Sequence, residues 1–240
     1  MIDALALGLI GVLLLKYWQQ GKLALLIHPM YVPLVVVCGV VLIAFASVRL
    51  LKHRHFRPGE HTGLLFPPAL AWGLLAVLLL LGTLLPPRPL SSAMALQRGA
   101  SELLPRQPQQ QFRLTFNPAD RSLADWVRTL SVYPDPDRYV GQPADISGFV
   151  IKPDWDTGDP ALDTELFLLG QFVISCCAAD AYPITLPIQW PTATEILPDS
   201  WQAITGTMAI RTIQGLEQLV LIAETVTEIP VPKSPYVFGG

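Results

Sequence analysis

Two kinds of hydrophobic pattern divide this chain near residue 111. Before it, apolar residues run on without alternation. From Gly63 to Leu85 the sequence GLLFPPALAWGLLAVLLLLGTLL carries no charge over 23 residues, and at about 1.5 Å per residue a helix of that length crosses a hydrocarbon core of about 30 Å with some tilt. The run MYVPLVVVCGVVLIAFASV, Met30 to Val48, holds 19 uncharged residues and ends at Arg49 and Lys52. Pro33 near its start suits a first helical turn. The first stretch is shorter, with 12 uncharged residues between Asp3 and Lys16. Lys16 can snorkel while Tyr17 and Trp18 sit at the interface, which extends the apolar length to a usable span. A cleavable signal peptide is the alternative, but the start MIDALAL has no basic segment ahead of the apolar run. The pattern therefore predicts three transmembrane helices at about 2–18, 30–48 and 63–85.

Residues 86–111 are rich in proline and glutamine and predict an extended linker with one short helical turn. From residue 112 the pattern becomes short and β-rich. FRLTF (112–116) alternates like a strand, and Ser122 to Ser131 predicts a helix with Leu123, Trp126, Val127 and Leu130 on one face. Further strands are expected to end near Ile151, to cover ELFLLGQFVISCC from Glu165, and to lie at 184–190, 201–211 and 217–229. In the second of these, alternation places Phe167, Leu169, Gln171, Val173 and Ser175 on one face. An acidic loop, 153–163, precedes it. Short strands with little helix predict a small OB-like barrel over 112–240 with the early helix packed against it; a sandwich is the alternative.

Composition supports the division. The chain is 51% hydrophobic and only 15% charged, with a mean hydropathy of +0.43. Residues 1–111 hold nine Lys and Arg against three acids, and residues 112–240 hold seven against sixteen. An acidic polar half excludes a general nucleic-acid binder, which needs basic surface to displace counterions. Charge also predicts orientation. Arg49, Lys52, Arg54 and Arg57 follow the second span, against Lys16 and Lys22 after the first, so the second loop is expected in the cytoplasm and the acidic domain outside it.

Candidate chemistry is confined to a few residues. Cys176 and Cys177 stand in SCCAADAYP, with Asp180 three residues beyond. Adjacent strand residues point to opposite faces, so both thiols reach one ion only if the chain turns there. Two thiolates, a carboxylate and an outside ligand suit zinc or another borderline metal. Two other assignments stay open: one cysteine as a small buried hydrophobe beside an incidental neighbour, or a disulfide across a tiny strained ring. The basic second loop contains His53 and His55, a weaker candidate pair because neighbouring Arg and Lys repel a cation. The span Asp154 to Glu165 has the length of a calcium loop without its glycine position, and predicts a solvated acidic loop. No phosphate-binding glycine loop or Ser-His-Asp order occurs, and residues 112–240 contain no histidine. Those gaps point away from an enzyme.

Several of these residues together resemble a known family. Gly148-Phe149-Val150, the run Gln171 to Pro183, Trp201 with Gly206-Thr207, and Pro235-Tyr236-Val237-Phe238 are similar to the YcgQ-type permease-subunit family, as are Ile27-His28-Pro29-Met30 and the His53/His55 loop in the membrane half. The paired cysteines before Ala-Asp-Ala and the Pro-Tyr ending are its most specific marks. The proline- and glutamine-rich linker and a second loop poor in histidine depart from the pattern. The resemblance implies an integral membrane protein with a β-rich extramembrane domain. It also implies work beside a larger polytopic permease of the YcgR type, with a link to metal-ion homeostasis. Three spans without an intramembrane acid or base do not enclose a transport path, so the expected role is an accessory subunit. The alternative is a membrane-anchored metal or thiol carrier that uses the paired cysteines.

Overall fold

The computed structural model describes residues 2–52, 73, 76–77, 80–85, 87–100, 118–154 and 157–238. These fall into two compact units, Met1–Arg88 and Pro89–Gly240. The first contains helices α1 (Ile2–Gln19) and α2 (Val32–Leu51). Glycine makes their contact possible: a Cβ added to Gly11 would lie 2.7 Å from the Gly39 carbonyl oxygen and 2.8 Å from Ile43 Cγ1. Small residues let two helix backbones approach this closely. The chain enters α2 through a 3-10 turn at Pro29–Tyr31, where His28 Nδ1 accepts from the Met30 amide at 3.1 Å.

Much of α2 presents apolar side chains to the surroundings, including Leu34, Val37, Val41 and Phe45. Apolar residues all round a helix mark a core or lipid environment. Among the described residues one helix, Pro29–Leu51, is long and apolar enough to cross a membrane, and Ala4–Gln19 is a shorter apolar helix. The predicted span 63–85 lies mostly outside the described residues, so a membrane half of several spans is not shown.

The second unit is a closed five-stranded β-barrel. Its strands are β1 (Pro143–Ile151), β2 (Leu166–Ile174), β3 (Tyr182–Gln189), β4 (Trp201–Ile213) and β5 (Leu216–Ile229), and a short β6 (Tyr236–Phe238) adds to β2. β1 pairs antiparallel with β4 from Pro143↔Thr207 to Phe149↔Trp201, then crosses to β2 at Phe149↔Gly170 through Ile151↔Leu168. β2 and β3 are antiparallel, β4 and β5 form a hairpin, and a short parallel pairing at Ile188↔Leu221 and Gln189↔Ile222 closes the circuit. The hairpin turns at Gln214 and Gly215, both with positive φ (53° and 77°), as a two-residue turn matched to strand twist requires.

Helix Leu123–Val132 precedes the barrel and packs on it. Ser122 Oγ accepts from the Asp125 amide at 3.2 Å while Asp125 Oδ2 accepts from the Ser122 amide at 3.2 Å, a capping box whose Ser contributes about 1 kcal/mol. Its Leu123, Trp126 and Val127 are buried in the same core as Ile146, Phe167, Leu169, Ile188, Ile204 and Leu221. Each such side chain stabilises the fold by about 1.5–3 kcal/mol on leaving water. The face predicted for β2 does hold Phe167, Leu169 and Val173 in the core, but Leu168, Phe172 and Ile174 on the other face are buried too. The strand is thus buried on both faces, and on the second Phe172 stacks on Phe149 at 5.4 Å. Gln171 is half-buried and donates to the Ser147 carbonyl at 2.9 Å. The acidic loop also contains an unpredicted short helix, Pro160–Glu165, capped by Asp159 through the Ala161 amide. The predicted strand 112–116 lies outside the described residues.

Closure depends on glycine where strands converge. A Cβ on Gly148 would sit 2.5 Å from the Gly170 carbonyl oxygen, and one on Gly206, at the β4 register shift, 2.1 Å from that of Ile222. Such contacts leave no room for a methyl group, and relieving them costs about 1–3 kcal/mol. Gly206→Ala in the full chain should lower urea resistance by that order, read from tryptophan fluorescence, whereas Gly158→Ala, which meets nothing within 4 Å, should cost less despite its positive φ.

Candidate functional site

The cysteine pair lies just beyond β2. That strand ends at Ile174, and residues 175–181 form the connection to β3. The strand was expected to run through the cysteines; it stops earlier because Asp180 folds the chain back. Its Oδ2 accepts from the Cys176 amide at 2.7 Å and its Oδ1 from the amides of Ser175 and Cys177, each at 3.3 Å. The Asp180 amide in turn donates to the Cys177 carbonyl at 3.1 Å. A short carboxylate gathering consecutive amides is common turn chemistry. Its consequence is geometric. Cys176 Sγ and Cys177 Sγ lie 3.6 Å apart, although neighbours in a strand would diverge.

The three predicted ligands are therefore together. One ligand atom each from Cys176, Cys177 and Asp180 fall within 4.8 Å of one another, with Cys176 and Asp180 exposed and Cys177 half-buried. Tetrahedral zinc with Zn–S bonds of about 2.3 Å spaces its sulfurs by about 3.8 Å, close to the spacing present. The donor set fits a borderline or soft cation better than calcium or magnesium, which take oxygen. Three protein ligands leave one position open, as in zinc sites that exchange a ligand. His53 and His55 lie outside the described residues.

Electrostatics set a threshold for that chemistry. The Cys176 thiol is pushed up to about 11, first by its hydrogen bond to Asp180, then by the Cys177 thiol and by burial. A thiol held protonated at neutral pH is a poor nucleophile, and a cation must displace its proton. Burial alone would raise Asp180, but the Cys176 thiol and the amides of Cys176, Cys177 and Ser175 outweigh it and hold the carboxyl below its ordinary value.

Several other polar groups near the barrel are already engaged. Asp163 accepts from the Thr157 amide at 2.8 Å, and these bonds with Thr157 lower its pKa. A concavity of about 280 Å³ is lined by Asp120, Arg121, Ser122, Asp145, Ser147 and Gln171. There Arg121 stacks over Trp126 at 4.8 Å and donates to Gln142 Oε1 at 3.3 Å, and Gln171 is spent on Ser147. The residue that sequence patterning missed is Arg98. From the segment expected as linker, its guanidinium donates to the carbonyls of Ala181 and, at 3.3 Å, Ala178. No spacing motif marks it; only the helical signal of SAMALQ beside it could have placed it.

A closed five-stranded β-barrel with two thiols and a carboxylate on one of its loops, in a chain that also carries an apolar helix, defines the class of this protein. Residues 100–239 match the model described as the DUF1980 C-terminal domain, more than half of the chain, and the protein belongs to that family. It is also similar to the UPF0703 protein YcgQ of Bacillus subtilis (strain 168), at 27% identity over 112 residues. That match covers 46% of this chain and 37% of the relative's length. No solved structure matches.

Two outcomes follow from the Asp180 geometry. Its hold on the loop is present above the ordinary carboxylate range and is lost as pH falls through its lowered pKa. The NMR shifts of the Ser175, Cys176 and Cys177 amides should therefore move together, with a midpoint below that of a free aspartate. Asp180→Asn removes the charge that keeps Cys176 protonated, so alkylation of Cys176 by iodoacetamide at pH 8 should speed up about fivefold or more.

Proposed function

We propose that the protein is an accessory subunit of a membrane permease complex, anchored by its apolar helices and carrying an OB-like barrel on the extracytoplasmic side. In this reading the apolar segments dock on a larger polytopic permease of the YcgR type, in the plasma or inner membrane. The barrel takes part in metal-ion homeostasis by holding zinc at Cys176, Cys177 and Asp180. The resemblance to YcgQ-type permease subunits, carried by the run Gln171 to Pro183 and the ending Pro235 to Phe238, supports the first element. The apposition of Cys176 and Cys177 at 3.6 Å carries the second. The five-stranded circuit, with one parallel closure between β3 and β5, supports the OB-like assignment. The bias of Arg49, Lys52, Arg54 and Arg57 supports the orientation. A thiol kept protonated and a second unit without histidine support a non-enzymatic role.

One observation favours a second role. With three protein ligands and exposed sulfur, the site can accept a fourth ligand from another protein, as a membrane-anchored metal or thiol carrier would need. The two roles separate in one comparison. The untagged full chain, purified in detergent without chelators, should hold about one zinc per chain by mass spectrometry, lost on Cys176→Ser/Cys177→Ser. An accessory subunit keeps its polytopic partner in the double variant. A carrier loses metal and cellular phenotype together while partner capture has no bearing on either. Metal-free wild type would remove zinc from both roles.

A further inference from the structure

The chain segment that follows the first unit is built into the barrel rather than lying loose beside it. Helix α3 (Ser92–Gln97) is capped by Ser91 Oγ, which accepts from the Met94 amide at 3.4 Å. The Leu90 amide donates to the Tyr236 hydroxyl at 3.1 Å, the Ser92 amide to Asp199 Oδ1, and the Thr185 hydroxyl to the Ala100 carbonyl at 3.4 Å. Ala95 and Ala100 are buried. Residues 89–100 thus form a strap tied to β6, to the turn before β4 and to β3. Its last tie is Arg98, whose guanidinium bonds the carbonyls of Ala178 and Ala181.

Those two carbonyls bracket Asp180 in the chain. Fixing the peptide on either side of it leaves its carboxylate aimed at the amides of Ser175, Cys176 and Cys177, and those three bonds in turn hold the sulfurs together. The geometry points to Arg98 as a positioning residue for the dithiol site, through which the strap governs how tightly the site holds a soft cation. This rests on the metal role proposed above. Both bonds leave one nitrogen, Nη1, whose two N–H groups can serve one carbonyl each, and the planar guanidinium fixes the direction of those donors where a lysine ammonium rotates freely. Partners that orient ligands from behind commonly alter metal affinity by about 10–100-fold, although here the positive charge opposes the cation and only the ordering favours it.

The test uses the full chain in detergent with Arg98→Ala, Arg98→Lys and, as a control, Tyr236→Phe, which releases the Leu90 tie without touching the loop. Two quantities are read: zinc affinity by competition with a chromophoric chelator, and hydrogen exchange at residues 175–177 without metal. Arg98→Ala should weaken zinc about tenfold and speed exchange by a similar factor, Arg98→Lys should recover part of both, and Tyr236→Phe should leave both unchanged. Unaltered exchange in Arg98→Ala would overturn the positioning role, as would equal effects in Tyr236→Phe. If wild type binds no zinc, the metal role fails by itself, and the exchange comparison still decides whether Arg98 holds the loop.

Discussion

Five strands close into a barrel only where their backbones come nearer than side chains permit, and the candidate site inherits its position from that closure. Gly148 and Gly170 meet where β1 leaves β4 for β2. Gly206 lets β4 shift register against β5. With these approaches in place, β2 is buried on both faces and its end is fixed. The loop that follows must reverse within seven residues to feed β3. A reversal that tight needs acceptors for the amides it strips from the ladder, and Asp180 supplies them.

The same carboxylate then does two opposing things. By collecting the amides of residues 175–177 it turns both sulfurs to one side, which creates a chelating pair. By accepting a hydrogen bond from the Cys176 thiol it keeps that thiol protonated. Under the proposed metal role, proton and cation would compete for that sulfur, and such a site would exchange a thiophilic cation with pH-dependent affinity instead of retaining it permanently.

The first unit obeys other rules. Its helices touch through glycine and alanine, and α2 leaves valine, leucine and phenylalanine uncovered, a surface suited to lipid or to other apolar helices. The barrel hides the same residue types. Similar residue types thus end in unlike places, exposed along α2 in one unit and buried inside the barrel in the other.

What the sequence determined by itself is whatever depends on near neighbours. The apolar run into α2, the helix after Ser122, and the strands expected to end near Ile151 and to lie at 165–177, 184–190, 201–211 and 217–229 were legible in place, because side-chain period and capping are local, while their ends shifted by up to three residues. Nominating Cys176, Cys177 and Asp180 was local too. Only the tertiary structure decided that the sulfurs share a side, since strand geometry alone would part them. Only it could bring Arg98 to carbonyls some 80 residues away, or pair β3 with β5 in parallel across an intervening strand. Those outcomes rest on contacts between segments remote in sequence, whose energies no local pattern encodes.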